Sequence, residues 1–170
     1  MAKELPVEGG IKSNIITIDL LDYRPKAKSL FFDLKEGLFM EMILKEKEFR
    51  HFLSEINWEQ FRDQAVAIGC SSEAIIPFWA YMSVADKLSG IASIINYSTP
   101  EALDEYVWKK NIEQTDFSFL QGEKVVVRQS IHVPPSLYIA ITQQLKPFVT
   151  TLMYGEAGLP KVISKNKTRS

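Results

Sequence analysis

A single cysteine, Cys70, and two histidines, His51 and His132, are the only thiol and imidazole groups in 170 residues. One thiol cannot close an internal disulfide, so nothing in the chain requires an oxidising compartment. The same count excludes an iron–sulfur cluster held by four cysteines of this chain. A structural zinc cage would have to recruit carboxylates. The nearest metal-like spacing is His51 and Glu55 at i,i+4, which is also the ordinary geometry of an exposed helical pair. No metal and no resident cofactor is expected.

Long hydrophobic runs are missing too. No apolar stretch reaches the ~18 residues that a membrane helix needs. The opening MAKELPVEGG lacks the apolar core of a secretion signal. Charge of one sign is equally scarce: 20 Lys and Arg face 21 Asp and Glu, for a net charge of -1. No global field therefore draws nucleic acid or an anionic membrane. Neither a G-x-G-x-x-G nor a G-x-x-x-x-G-K-[ST] phosphate loop is present, and there is no G-x-S-x-G nucleophile elbow. These absences point to a cytoplasmic protein with no nucleic-acid and no membrane partner.

What remains is an ordinary globular composition, 46% hydrophobic and 24% charged. It predicts a flexible N-terminal arm over 1–14, a single α/β domain over 15–160 and a flexible basic tail over 161–170. The β-branched run Ile15–Leu20 and the run Ser29–Leu34 read as strands. Lys35–Leu44 fits helix and strand spacing equally, and reads as a turn with a short helix or strand. Phe49, Phe52, Leu53 and Ile56 recur at i, i+3, i+4 and i+7, a core-facing stripe on a helix over Lys45–Ile56. Thr99-Pro100 predicts a helix start, with threonine as N-cap and proline at the first position. Val66–Ile68, Ser93–Tyr97, Lys124–Arg128 and Thr151–Tyr154 complete the strands. Pro135–Phe148 forms the last long helix.

The chain also resembles itself. Ile76-Pro77, Tyr81, Leu88 and Tyr97 match Val133-Pro134, Tyr138, Leu145 and Tyr154 at one offset. Upstream, Trp58, Phe61 and Val66–Ile68 match Phe117, Leu120 and Val125–Val127 at an offset two residues larger. The prediction is an internal duplication: two similar strand–turn–helix–strand units in one mixed sheet, with the N-terminal strands extending it. The turn around Cys70 then corresponds to the turn Arg128–His132. Both follow the C-terminal end of a strand, where open α/β sheets place their ligands.

Cys70 and His132 are thus the candidate catalytic pair, expected on one edge of one sheet. Two readings of Cys70 stand side by side. Before a helix N-terminus it would be an activated thiol, whereas cysteine also serves as a small buried hydrophobe. The phosphate-binding arginine that usually follows a catalytic cysteine is absent, which favours packing. Ser71 and Ser72 could cap the helix or donate to an anion, and Gln129 stands where the second turn has no cysteine. On the following helix, Phe78, Tyr81, Met82, Ala85 and Leu88 share one stripe and are expected in the core. Trp79 points off that stripe and is a candidate for a pocket or an interface. Asp19 and Asp22 read as solvated edge charges.

The succession Ile18-Asp-Leu20, Phe32-Asp-Leu-Lys35, Leu44–Arg50, Trp58, Val66–Ile68, Cys70-Ser71, Ile76-Pro77, Trp79–Met82 and Met153–Glu156 resembles the uncharacterised bacterial proteins grouped as domain of unknown function 2480. The resemblance runs from about Ile15 to Glu156. No established activity comes with it. It implies an accessory or binding protein in iron–sulfur or metal-cofactor maintenance, with the assembly machinery as partner. The family pattern carries cysteines near Gln129 and near Gly158, and this chain keeps only Cys70. A thiol-dependent enzyme or sulfur acceptor using Cys70, and a protein-interaction scaffold, are the competing classes. The sequence is compatible with a homodimer and does not require one.

Overall fold

The computed structural model describes residues 15–156 and 158–166, so the expected N-terminal arm and the end of the tail lie outside the described residues. The chain forms two compact units. One runs from Arg24 to Asn111; the other takes the chain up to Tyr23 and from Ile112 onward. The contiguous unit is therefore inserted, in sequence, into the other.

The inserted unit holds β2 (Leu30–Asp33), α1 (Glu46–Glu55), β3 (Ala65–Gly69), α2 (Phe78–Leu88) and β4 (Ile94–Tyr97). Its sheet is fully parallel, in the order β2-β3-β4. The outer unit holds β1 (Ile15–Ile18), β5 (Lys124–Arg128), α4 (Pro135–Leu145), β6 (Thr151–Gly155) and β7 (Lys161–Lys165). Its order is β1-β5-β6-β7, parallel except for the antiparallel pair β6-β7. The helix α3 (Pro100–Glu113) contains the unit boundary. The architecture among the described residues is mixed α/β, with four helices and seven strands in two sheets.

One sheet built from both crossovers is thus not what forms. Each crossover pairs its own strands, β3 with β4 and β5 with β6. The N-terminal strands divide between them: β1 joins β5 and β2 joins β3. A second correction concerns the expected flexible tail, because Lys161–Lys165 is a strand. Val162 and Ile163 give it β propensity, and the next residue, Asn166, donates its N–H to the Thr150 carbonyl at 2.8 Å.

In the inserted unit the buried core joins Phe32, Leu34, Val66 and Ile68 to Phe49 and Leu53 of α1 and to Ala80, Val84 and Leu88 of α2. Phe52 and Ile56 pack against it half-buried. The α1 stripe therefore lies where its spacing puts it. The α2 stripe does so only in part: Leu88 is buried, and Tyr81 and Ala85 pack half-buried against the core. Ala80, Val84 and Leu88 are fully buried, whereas Phe78 and Met82 are 85% and 72% exposed. Small side chains let the backbone of α2 lie close to the sheet, and the bulky residues at i and i+4 turn outward. Thr99 caps α3 as its sequence implies, its Oγ1 accepting from the Ala102 N–H at 3.2 Å.

The ambiguous segment Lys35–Leu44 resolves into a 3-10 turn over Leu34–Gly37 and a tight reversal between Phe39 and Ile43. Met40 and Glu41 at its tip have φ of 50° and 60°. That left-handed backbone is normally left to Asn and Gly, and it costs roughly 1–2 kcal/mol per residue here. Contacts hold it in place: Lys35 pairs with Glu41 at 3.1 Å, and Lys45 Nζ sits 3.4 Å above the Phe39 ring. Gly37 is required for a different reason. A Cβ there would lie 2.6 Å from Phe52 Cδ1 and 2.8 Å from Phe49 Cδ2.

The observed phase of α2 makes a direct prediction. Leu88→Ala should cost roughly 2–5 kcal/mol, whereas Met82→Ala should stay within about 0.5 kcal/mol of the parent. Urea denaturation of both variants measures the difference, and equal costs would contradict the assigned face.

Candidate functional site

The carboxyl ends of β2, β3 and β4 meet at one edge of the inserted sheet, and Asp33 organises it. Its Oδ1 accepts from the backbone N–H of Lys35 and of Ser71, each at 3.0 Å. Its Oδ2 accepts from the Ser71 hydroxyl at 2.5 Å. One carboxylate thus starts the 3-10 turn after β2 and ties down the turn after β3. Burial pushes the Asp33 carboxyl up, but the three hydrogen bonds and the nearby Lys35 charge outweigh it, so its pKa lies below the ordinary carboxylate value.

Ser71 is committed to Asp33 and caps no helix. The N-cap of α2 is Pro77, which makes no side-chain cap bond, and Phe78 begins the helix. Cys70 therefore precedes an irregular loop rather than a first helical turn. Its half-buried sulfur lies 3.2 Å from the Ser72 hydroxyl. Across the edge, Tyr81 of α2 meets Tyr97 of β4 edge-to-face at 5.4 Å. Burial first, then the neighbouring Tyr97 and Cys70, raises the Tyr81 phenol above its usual pKa. Ser98 follows β4, and its buried Oγ has no hydrogen-bond partner among the described residues. Such an orphan costs about 1–3 kcal/mol.

The second turn lies on the other sheet. Tyr138 of α4 donates its hydroxyl to the Arg128 carbonyl at 3.1 Å and accepts from the Ser130 N–H at 2.9 Å. It meets Tyr154 edge-to-face, again at 5.4 Å. Gln129 and His132 are exposed in this turn. Since Cys70 follows β3 and His132 follows β5, the single sheet edge expected to carry both does not exist. Trp79 is half-buried, edge-on to Phe49 at 5.9 Å with Arg50 over its ring at 5.1 Å.

Sequence reasoning missed the two aspartates that matter. Asp19, read as a solvated edge charge, accepts from the Leu21 N–H at 2.9 Å and pairs with Arg128 at 3.0 Å. It directly follows β1, whereas Asp33 is the last residue of β2. The signal was present in the repeated Asp-Leu after each N-terminal strand, Asp19-Leu20 and Asp33-Leu34, both leucines being fully buried. Among the described residues no group of three or more His, Cys, Asp or Glu side chains could hold a metal ion. Nor is any helix there long and apolar enough to cross a membrane.

Asp33→Asn should destabilise the protein by about 1–3 kcal/mol at neutral pH through its charge-assisted hydrogen bonds. Because the folded carboxyl has the lower pKa, its stabilisation is present above the unfolded value and fades as pH falls through the folded one. Denaturation of parent and variant at pH 7 and near pH 3 should therefore show the gap closing in acid. A gap independent of pH would contradict an ionised Asp33.

In comparisons with known proteins, the family model described as "Protein of unknown function (DUF2480)" matches residues 10–163. No curated protein and no solved structure matches the chain.

Proposed function

The chain belongs to the DUF2480 family of proteins of unknown function, and from that premise we propose that it works by binding rather than by catalysis, at the carboxyl edge of the β2–β3–β4 sheet. The observation that carries this reading is how the turn after β3 spends its polar groups. Ser71 is consumed in holding Asp33, and the sulfur of Cys70 has a serine hydroxyl beside it at 3.2 Å. A hydroxyl is a poor base for a thiol, and nucleophilic cysteines rely on an adjacent base or a helix terminus. The same edge offers a fixed turn, a half-buried sulfur and two tyrosines in edge-to-face contact. That is the position open α/β sheets use for ligands, although fold alone assigns no ligand.

The family resemblance implies a setting in iron–sulfur or metal-cofactor maintenance. In that setting one thiol makes the chain an accessory that touches a cluster carrier rather than a holder of its own cluster. An interaction-scaffold reading also has an observation of its own: Ile75, Phe78 and Met82 are 92%, 85% and 72% exposed beside the Cys70 turn. The paired tyrosine contacts at 5.4 Å in the two units support an internal duplication as the origin of this layout.

Alkylation of Cys70 by iodoacetamide, followed by mass spectrometry from about pH 6 to about pH 9, separates binding from catalysis. The binding reading expects a rate at neutral pH no faster than that of free cysteine. A markedly faster rate there would favour the competing thiol-enzyme reading. Affinity purification with identified iron–sulfur assembly proteins, repeated on Cys70→Ala, tests the accessory role. Recovery lost in the variant is expected, and failure to recover them with the parent would count against it.

A further inference from the structure

Strand β2 ends its sheet on the side away from β3, and a cleft of about 320 Å³ opens beside it. Phe31 and Phe32 point to opposite faces of the strand, yet both line the cleft, together with Phe52 and Phe61. The cleft therefore wraps around the sheet edge. Its walls are fixed by contacts of their own. Phe32 stacks on Trp58 at 5.3 Å and meets Phe52 and Phe61 at 6.4 and 6.0 Å. Phe31 lies across Gly69, where a Cβ would approach its ring to 2.9 Å.

Leu30, Ile56 and Gln60 also line it, and so do two carboxylates, Asp33 and Glu36. The neighbouring ammonium of Lys35 is engaged by Glu41 at 3.1 Å. Aromatic faces carry negative charge density and attract cations, most strongly where water is excluded. The volume lies at the small end of ligand pockets, and apolar walls with acidic groups select charge as well as size. We propose that this cleft binds a small organic cation, its compact apolar body against the accessible edges of the phenylalanine rings and its ammonium or guanidinium head at Asp33 and Glu36. The site uses no thiol and does not depend on the role proposed for Cys70.

Amide chemical shifts of the full chain, titrated with phenethylammonium, 2-phenylethanol and 3-phenylpropanoate, test it. Phenethylammonium should perturb residues 30–36 and 52–61, with a dissociation constant on the order of millimolar for so small a probe. It should bind roughly tenfold more tightly than the alcohol, and the propanoate should not bind. Glu36→Gln should weaken the cation by roughly two- to fivefold. Gln60→Trp, at an exposed position of the lining, should fill the cleft and abolish the response while leaving the remaining spectrum intact. Cys70→Ala should titrate like the parent. Equal binding of the alcohol, or shifts centred away from these residues, would overturn the proposal. So would an unchanged titration in Gln60→Trp or Glu36→Gln, or a loss of response in Cys70→Ala.

Discussion

One carboxylate at the end of the first strand fixes each unit. In the inserted unit Asp33 gathers the N–H of Lys35, the N–H of Ser71 and the Ser71 hydroxyl. In the outer unit Asp19 gathers the N–H of Leu21 and the guanidinium of Arg128. The chemistry differs while the task is shared, since each aspartate joins the turn after its own strand to the end of the neighbouring one. The neighbour supplies a serine in one case and an arginine in the other. Everything at the carboxyl edge, from the placing of Cys70 to the tyrosine pairs, is built on that tie.

Where a residue's fate is decided by its neighbours in sequence, the structure was legible. The α1 stripe, the Thr99 cap and the strands β3 and β5 all follow from local spacing and capping chemistry. Features decided across the fold were not. The buried face of α2 depends on how closely Ala80 and Val84 approach the sheet, which no hydrophobicity pattern reports. Lys161–Lys165 looks like a charged tail until β6 is there to pair with it. Met40 and Glu41 adopt a backbone that their types disfavour because ionic and cation–π contacts around them permit it. At the candidate site, Cys70, Ser71 and Ser72 were found by type and position, while Asp33 was passed over because Ser71, which it ties down, stands 38 residues away.

The two sites differ in physical character. The carboxyl edge is a polar turn with a thiol and an unsatisfied hydroxyl, rigid because its backbone is pinned. The cleft beside β2 is aromatic, rigid because its rings support one another. Asp33 belongs to both, and its two tasks use different properties. Its lone pairs hold the turn, and its net charge remains to set the potential in the cleft.

The nested order of the units has a consequence for synthesis. Strand β1 leaves the ribosome early, but the residues it must meet lie far along the chain, as the 109-residue separation of Asp19 and Arg128 records. The strands β2, β3 and β4 lie within one contiguous stretch and can pair as soon as it has emerged. Local pairing is fast and distant closure slow, so the inserted unit gains its core while β1 still waits with an unpaired edge. For that interval the chain carries a short apolar strand with no partner, the exposure that makes nascent proteins depend on chaperones.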